Sequence, residues 1–135
     1  ECNYMKKNPD DICMQKIVMK HATGGQVRPH SPTEYGDFTF ESTIKRSHVK
    51  YYGVAKGVTG RNPTLTHSKD EHVIGQVLKG LNTGTVQNIM VVSNGTIDFS
   101  LRDILIDLTN KFGKKITFID REDMARLMLS YDNMR

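Results

Sequence analysis

The run Ile89-Met90-Val91-Val92 constrains the fold more than any other stretch of the chain. Four successive apolar residues leave no inside-outside alternation, and so short a run suits a strand covered on both faces, as in a parallel sheet. The turn pair Asn94-Gly95 closes it. Parallel neighbours are reached through helical crossovers, and the flanking sequence supplies them. Ser68 and Glu71 form a capping-box pair ahead of a stripe of Val73, Ile74, Val77, Leu78 and Leu81, which predicts a helix over 68–82. Ser100 and Asp103 repeat the pattern before Leu101, Ile104, Leu105, Leu108 and Phe112. Gly113 stands where a glycine ends a helix, so a second helix is predicted over 100–112. Lys115 to Ile119 reads as the last strand, and Asp120 caps a final helix with Met124, Leu127, Met128 and Tyr131 on one face.

The first half is built differently. Pro9 and Asp10 precede Cys13, Met14, Ile17 and Val18 at helical spacing, and Gly24-Gly25 ends a helix predicted near 10–22. Gln26 to His30 reads as a short strand. Phe38, Phe40, Ser42 and Ile44 share one side of a period-2 ribbon, and the Val- and Tyr-rich stretch Val49 to Val58 follows as its hairpin partner. The Gly, Arg, Asn and Pro cluster from Gly57 to Pro63 breaks the hairpin off. The predicted order is α-β-β-β-α-β-α-β-α, an α/β fold whose central mixed sheet is flanked by helices. At 135 residues this is one domain over 1–135, with its core at about 10–133 and no internal repeat.

Composition narrows the function classes. No apolar run approaches the ~20 residues of a membrane span, and the polar start from Glu1 to Lys7 lacks the apolar core of a secretory signal. The expectation is a soluble intracellular protein, cytoplasmic or nuclear, with no membrane partner. Because the chain begins without Met, it is also expected to be part of a larger protein. Cys2 and Cys13 are too few for a disulfide scaffold and lack zinc-site spacing. The formal charge of +4 favours polyanionic partners. The excess is local: Lys45, Arg46, His48, Lys50, Lys56 and Arg61 follow Glu41 with no acidic residue among them. Asn94-Gly95-Thr96 is formally a glycosylation sequon but reads as a turn.

Most catalytic signatures are absent: there is no GxxxxGK[ST], GxSxG, HExxH or strand-borne GxGxxG. His21, His30, His48, His67 and His72 form no metal-ligand pairing beyond the loosely spaced His67 and His72. What remains is Asp37 and Glu41 around one strand of the hairpin and Lys56 at the end of the other. If brought to one end of the sheet, two carboxylates would hold a divalent cation and the ammonium would steady a phosphate, the minimal apparatus of metal-assisted phosphodiester cleavage.

The segments Gly36-Asp37-Phe38-Thr39-Phe40-Glu41, Tyr52-Gly53-Val54-Ala55-Lys56, Ile89 to Ser93 with Phe99-Ser100, and Phe118-Ile119-Asp120 with Met124-Ala125-Arg126-Leu127-Met128 occur in that order. In this the chain resembles the Mrr-type restriction endonuclease domain, a branch of the PD-(D/E)xK nuclease superfamily, from about Asp10 to Asn133. The resemblance implies a restriction-endonuclease-like three-layer fold, a nucleic-acid substrate and Mg²⁺ or Mn²⁺ as cofactor. It implies Glu41 in place of the family's metal-binding Asp, Thr39 in place of a glycine, and Lys56 as the matching lysine. Val54 stands where the family has Glu or Gln, and a hydrocarbon does not ligate a hard cation. A second ligand would come from Asp37, Glu34 or Glu71, with Gln76 also in reach of the site.

Two functions follow as expectations. One is a divergent metal-dependent nuclease with catalytic Glu41, Lys56 and Asp37, of which Glu41 and Asp37 bind the metal. The other is a nuclease-derived module without catalysis that binds nucleic acid or a protein partner. Under either, Lys45, Arg46, Lys50, Lys56 and Arg61 are the expected phosphate contacts on DNA or RNA. A third reading is a structural or dimerisation domain, acting as a homodimer.

Overall fold

The computed structural model describes residues 37–42, 49–58, 61, 63–84 and 86–133, together with Met14, Ile17 and Val18. Its elements run β1 (Asp37–Ser42), β2 (Val49–Lys56), β3 (Thr64–Leu65), α1 (Glu71–Leu81), β4 (Asn88–Ser93), β5 (Thr96–Ile97), α2 (Phe99–Lys111), β6 (Lys115–Ile119) and α3 (Arg121–Asn133). The main sheet has the order β1-β2-β4-β6. β1 pairs antiparallel with β2, whereas β2, β4 and β6 run parallel, so the sheet is mixed.

The apolar run behaves as its composition requires. Ile89, Met90, Val91 and Val92 are all buried within β4, an interior strand. Successive strand residues face opposite ways, and the core divides accordingly. Ile89 and Val91 join Tyr52 and Val54 of β2 against Val73, Val77 and Leu81 of α1 and Leu101 and Leu105 of α2. Met90 and Val92 join Ala55 on the other face against Met14, Ile17, Val18 and Met124 of α3. Helical residues therefore cover both faces of the sheet. Within α1 the buried side is Val73, Val77, Gly80 and Leu81, while Leu78, expected in the stripe, is exposed. Gly80 is the contact point with the sheet: a Cβ there would lie 2.3 Å from Cδ1 of Tyr52.

The helix starts differ from the sequence reading at two places. α1 begins after Asp70, not at Ser68, because the Asp70 carboxylate turns back to accept the Thr66 N–H (2.9 Å) and closes the 66–70 turn. α2 begins at Phe99 after Asp98, and Ser100 donates its hydroxyl proton to the Asp98 carboxylate instead of capping. At the third start the expectation holds. Asp120 accepts the Glu122 and Asp123 N–H groups, and the Asp123 carboxylate accepts the Asp120 N–H in return. Gly113 ends α2 with φ +67°, a conformation glycine adopts without cost. Lys114 then reaches across to the C-terminus of α1, donating to the carbonyls of Leu81 (2.8 Å) and Thr83 (3.0 Å).

β3 and β5 form a second, parallel two-stranded sheet that the sequence reading lacked. Two residues per strand are too few to leave a periodic signal. Of the predicted first helix, only Met14, Ile17 and Val18 are described, and all three are helical and buried. The rest of that helix, the strand predicted at 26–30, Ile44, Cys2 and Cys13 lie outside the described residues. No helix among the described residues is long and apolar enough to cross a membrane.

Candidate functional site

In open α/β sheets ligands gather outside the carboxyl ends of the parallel strands. Here those ends are Lys56 of β2 and Ser93 of β4, which are register partners. A cleft of about 300 Å³ opens there, lined by Lys56, Gly57, Val58, Pro63, Thr64, Lys69 and Asp70.

The turn after β4 holds the chain segments that line the cleft. The Ser93 hydroxyl donates to the Lys56 carbonyl (2.7 Å) and accepts the Gly95 N–H (3.0 Å). Asn94 is buried and binds Val58 in both directions, its Oδ1 accepting the Val58 N–H (2.8 Å) and its Nδ2 donating to the Val58 carbonyl (2.9 Å). Thr96 N–H donates to the Pro63 carbonyl (3.0 Å). Gly95 fits because it lacks a Cβ, which would lie 2.6 Å from Val58 Cγ2 and 2.8 Å from the Pro63 carbonyl oxygen. The sequon is thus a turn, and its asparagine is spent on holding the chain segment that carries Lys56.

Asn94→Ala is accordingly expected to lower stability by about 2 kcal/mol, because it removes two hydrogen bonds and leaves partly buried backbone groups unpaired. Asn94→Asp keeps the acceptor but sets a buried carboxylate oxygen against the Val58 carbonyl, so it should cost at least as much. Thermal unfolding of both variants checks the order.

The cleft's charge is carried by two ammonium groups and one carboxylate. The carboxylate, Asp70, is buried and engaged by the Thr66 N–H. Among the described residues no ion pair is made by Lys56 or Lys69. The site is therefore a cationic recess whose lining segment is tied down by the turn after β4, suited to an anionic group of phosphate size.

The register distributes the sequence-derived candidates unevenly. Asp37 is the partner of Val54, two residues short of Lys56. Glu41 is the partner of Lys50, at the other end of β2. Six residues of strand separate Lys50 from Lys56, or about 20 Å at ~3.3 Å per residue, so the hairpin brings Asp37 and not Glu41 to the Lys56 end. Lys50 has hydrogen-bonded company: its N–H donates to the Gln87 side chain (3.3 Å). Arg61 is exposed near the cleft's 57–63 edge. Lys45, Arg46 and Glu34 lie outside the described residues. Glu71 is exposed at the first turn of α1, Gln76 is half-buried further along it, and His67 and His72 are exposed. Val54 is fully buried in the core against α1 and α2, so position 54 offers no metal ligand. Among the described residues no group of three His, Cys, Asp or Glu side chains is placed to hold a metal ion.

Lys69 was missed by the sequence reading. Its only signal is a lysine in a turn just ahead of a helix, a common arrangement; it becomes notable once the 66–70 turn folds it towards the end of β2. No family model matches the chain, no curated protein matches it, and no solved structure matches it.

Proposed function

We propose that the chain is a restriction-endonuclease-like module that binds the phosphodiester backbone of nucleic acid at the Lys56–Lys69 cleft. The observation that carries this reading is the pairing of two lysines, without a counter-ion pair among the described residues, in a recess at the carboxyl end of β2. Phosphate contacts of this kind position a protein on nucleic acid without reading its sequence. The net charge of +4 acts in the same direction, steering a polyanion towards the molecule.

Fluorescence anisotropy with labelled DNA and RNA at rising KCl tests it. Affinity should fall linearly in log-log form as salt rises. Lys56→Glu and Lys69→Glu should each weaken binding for all sequences alike, and neutral Lys56→Ala should reduce the salt slope by about 1. Binding that ignores both lysines, or no binding at low salt, overturns the reading in favour of a protein partner.

A hydrolytic version has one observation in its favour: the register sets Asp37 beside Val54 and near Lys56 on neighbouring strands. Divalent-metal-dependent nicking of supercoiled DNA, or cleavage of RNA, that is lost in Asp37→Asn and Lys56→Ala would establish it. The same loss in Glu41→Gln would instead make Glu41 the carboxylate that matters.

A further inference from the structure

Phe99 is 80 % exposed, the most exposed large hydrophobic side chain among the described residues. It opens α2 directly after Asp98, whose N–H donates to the Leu65 carbonyl (3.0 Å). β5 leads into it, and β5 is paired in register with β3, Thr64 to Thr96 and Leu65 to Ile97. Thr64 lines the Lys56–Lys69 cleft. The β3–β5 ribbon thus links the cleft to Phe99, and both lie at the end of the molecule where β2 and β4 finish.

A packing role does not account for this residue. Leu101 and Leu105 anchor α2 to the core with no exposure, while Phe99 points its ring into solvent. A flat aromatic face two residues past the strand that pairs with the cleft's Thr64 segment offers, together with the cationic recess, partners for the two parts of a nucleotide, the base and its phosphate. Bases in a duplex are stacked on one another and do not present their faces; bases of a single strand do.

Resting on the phosphate-binding reading above, we infer that the cleft takes single-stranded nucleic acid, with Phe99 as the platform on which one unpaired base stacks while its backbone runs to Lys56 and Lys69. The chain contains no tryptophan, so Phe99→Trp places a single fluorescent reporter at this position. Titrating that variant with an oligothymidylate should quench its emission, whereas blunt duplex DNA and heparin, which offer phosphate or sulfate without free base faces, should leave it nearly unchanged. Phe99→Ala should bind the oligothymidylate roughly tenfold more weakly, with the salt slope of the parent. Its affinity for duplex should not change, and circular dichroism should show the parent fold.

If Lys56→Glu and Lys69→Glu weaken oligothymidylate binding while Phe99→Ala binds as the parent does, the stacking role is overturned and the phosphate site stands. Equal losses on duplex and single strand in Phe99→Ala also overturn it. If no oligonucleotide binds at low salt, the phosphate-binding reading falls, and the stacking role with it.

Discussion

Val54→Glu is expected to destabilise the domain by about 3–5 kcal/mol in metal-free buffer, the range found when a buried charge is left without a partner. Val54 has no exposure, and its face of the sheet meets Val73, Val77 and Leu65, none of which accepts or donates a hydrogen bond through its side chain. Such a loss is a large share of the ~5–15 kcal/mol that holds a domain folded. Urea unfolding with and without MgCl₂ measures it. Because Asp37 is the register partner of position 54, this substitution also asks whether the hairpin retains a metal site. No recovery with Mg²⁺ is the result expected for a binding module. Recovery of most of the lost stability would mean that two carboxylates meet at this point, and would move the conclusion to hydrolysis.

Ile89→Ala should cost about 2–5 kcal/mol, the sum of lost burial and an incompletely closed cavity. Ile89 has no exposure and lies in an interior strand, in the core shared with α1 and α2. Thr117→Ala, on the exposed face of the edge strand β6, is the matched control and should stay within about 0.5 kcal/mol. A cost for Ile89→Ala as small as the control's would mean that β4 is not the centre of the core, and the sheet order itself would need revision.

Several features of the fold were legible before any coordinates. The unbroken run in β4, the helices that bury Val73, Val77, Leu101 and Leu105, the glycine at 113 and the cap at Asp120 each depend on neighbours within a few residues. Their signals are local because the hydrogen bonds and faces that produce them are local. Where a local signal misled, a competing local hydrogen bond had closed instead. Asp70 serves the Thr66 turn, and Ser100 serves Asp98, so each predicted cap moved.

The candidate site was legible only as a set of residue types. Lys56, Asp37 and Glu41 stood out by charge on adjacent strands, and a hairpin was evident from its alternation. Which carboxylate meets the lysine depends on pairing register, and an antiparallel pair shifted along its length presents the same sequence with different partners. The basic stretch likewise read as one patch, yet Lys50 and Lys56 stand at opposite ends of β2.

The sequence by itself determined an α/β chain with a doubly covered central strand, because backbone periodicity and apolar spacing are carried by consecutive residues. Tertiary structure alone decided that Asp37 is the register partner of Val54, that Asn94 locks Val58, and that Lys69 joins Lys56 across thirteen positions of chain. Those pairings come from strand register and from turns closed by hydrogen bonds up to 37 residues apart, contacts whose geometry exists only after the sheet and its helices have packed.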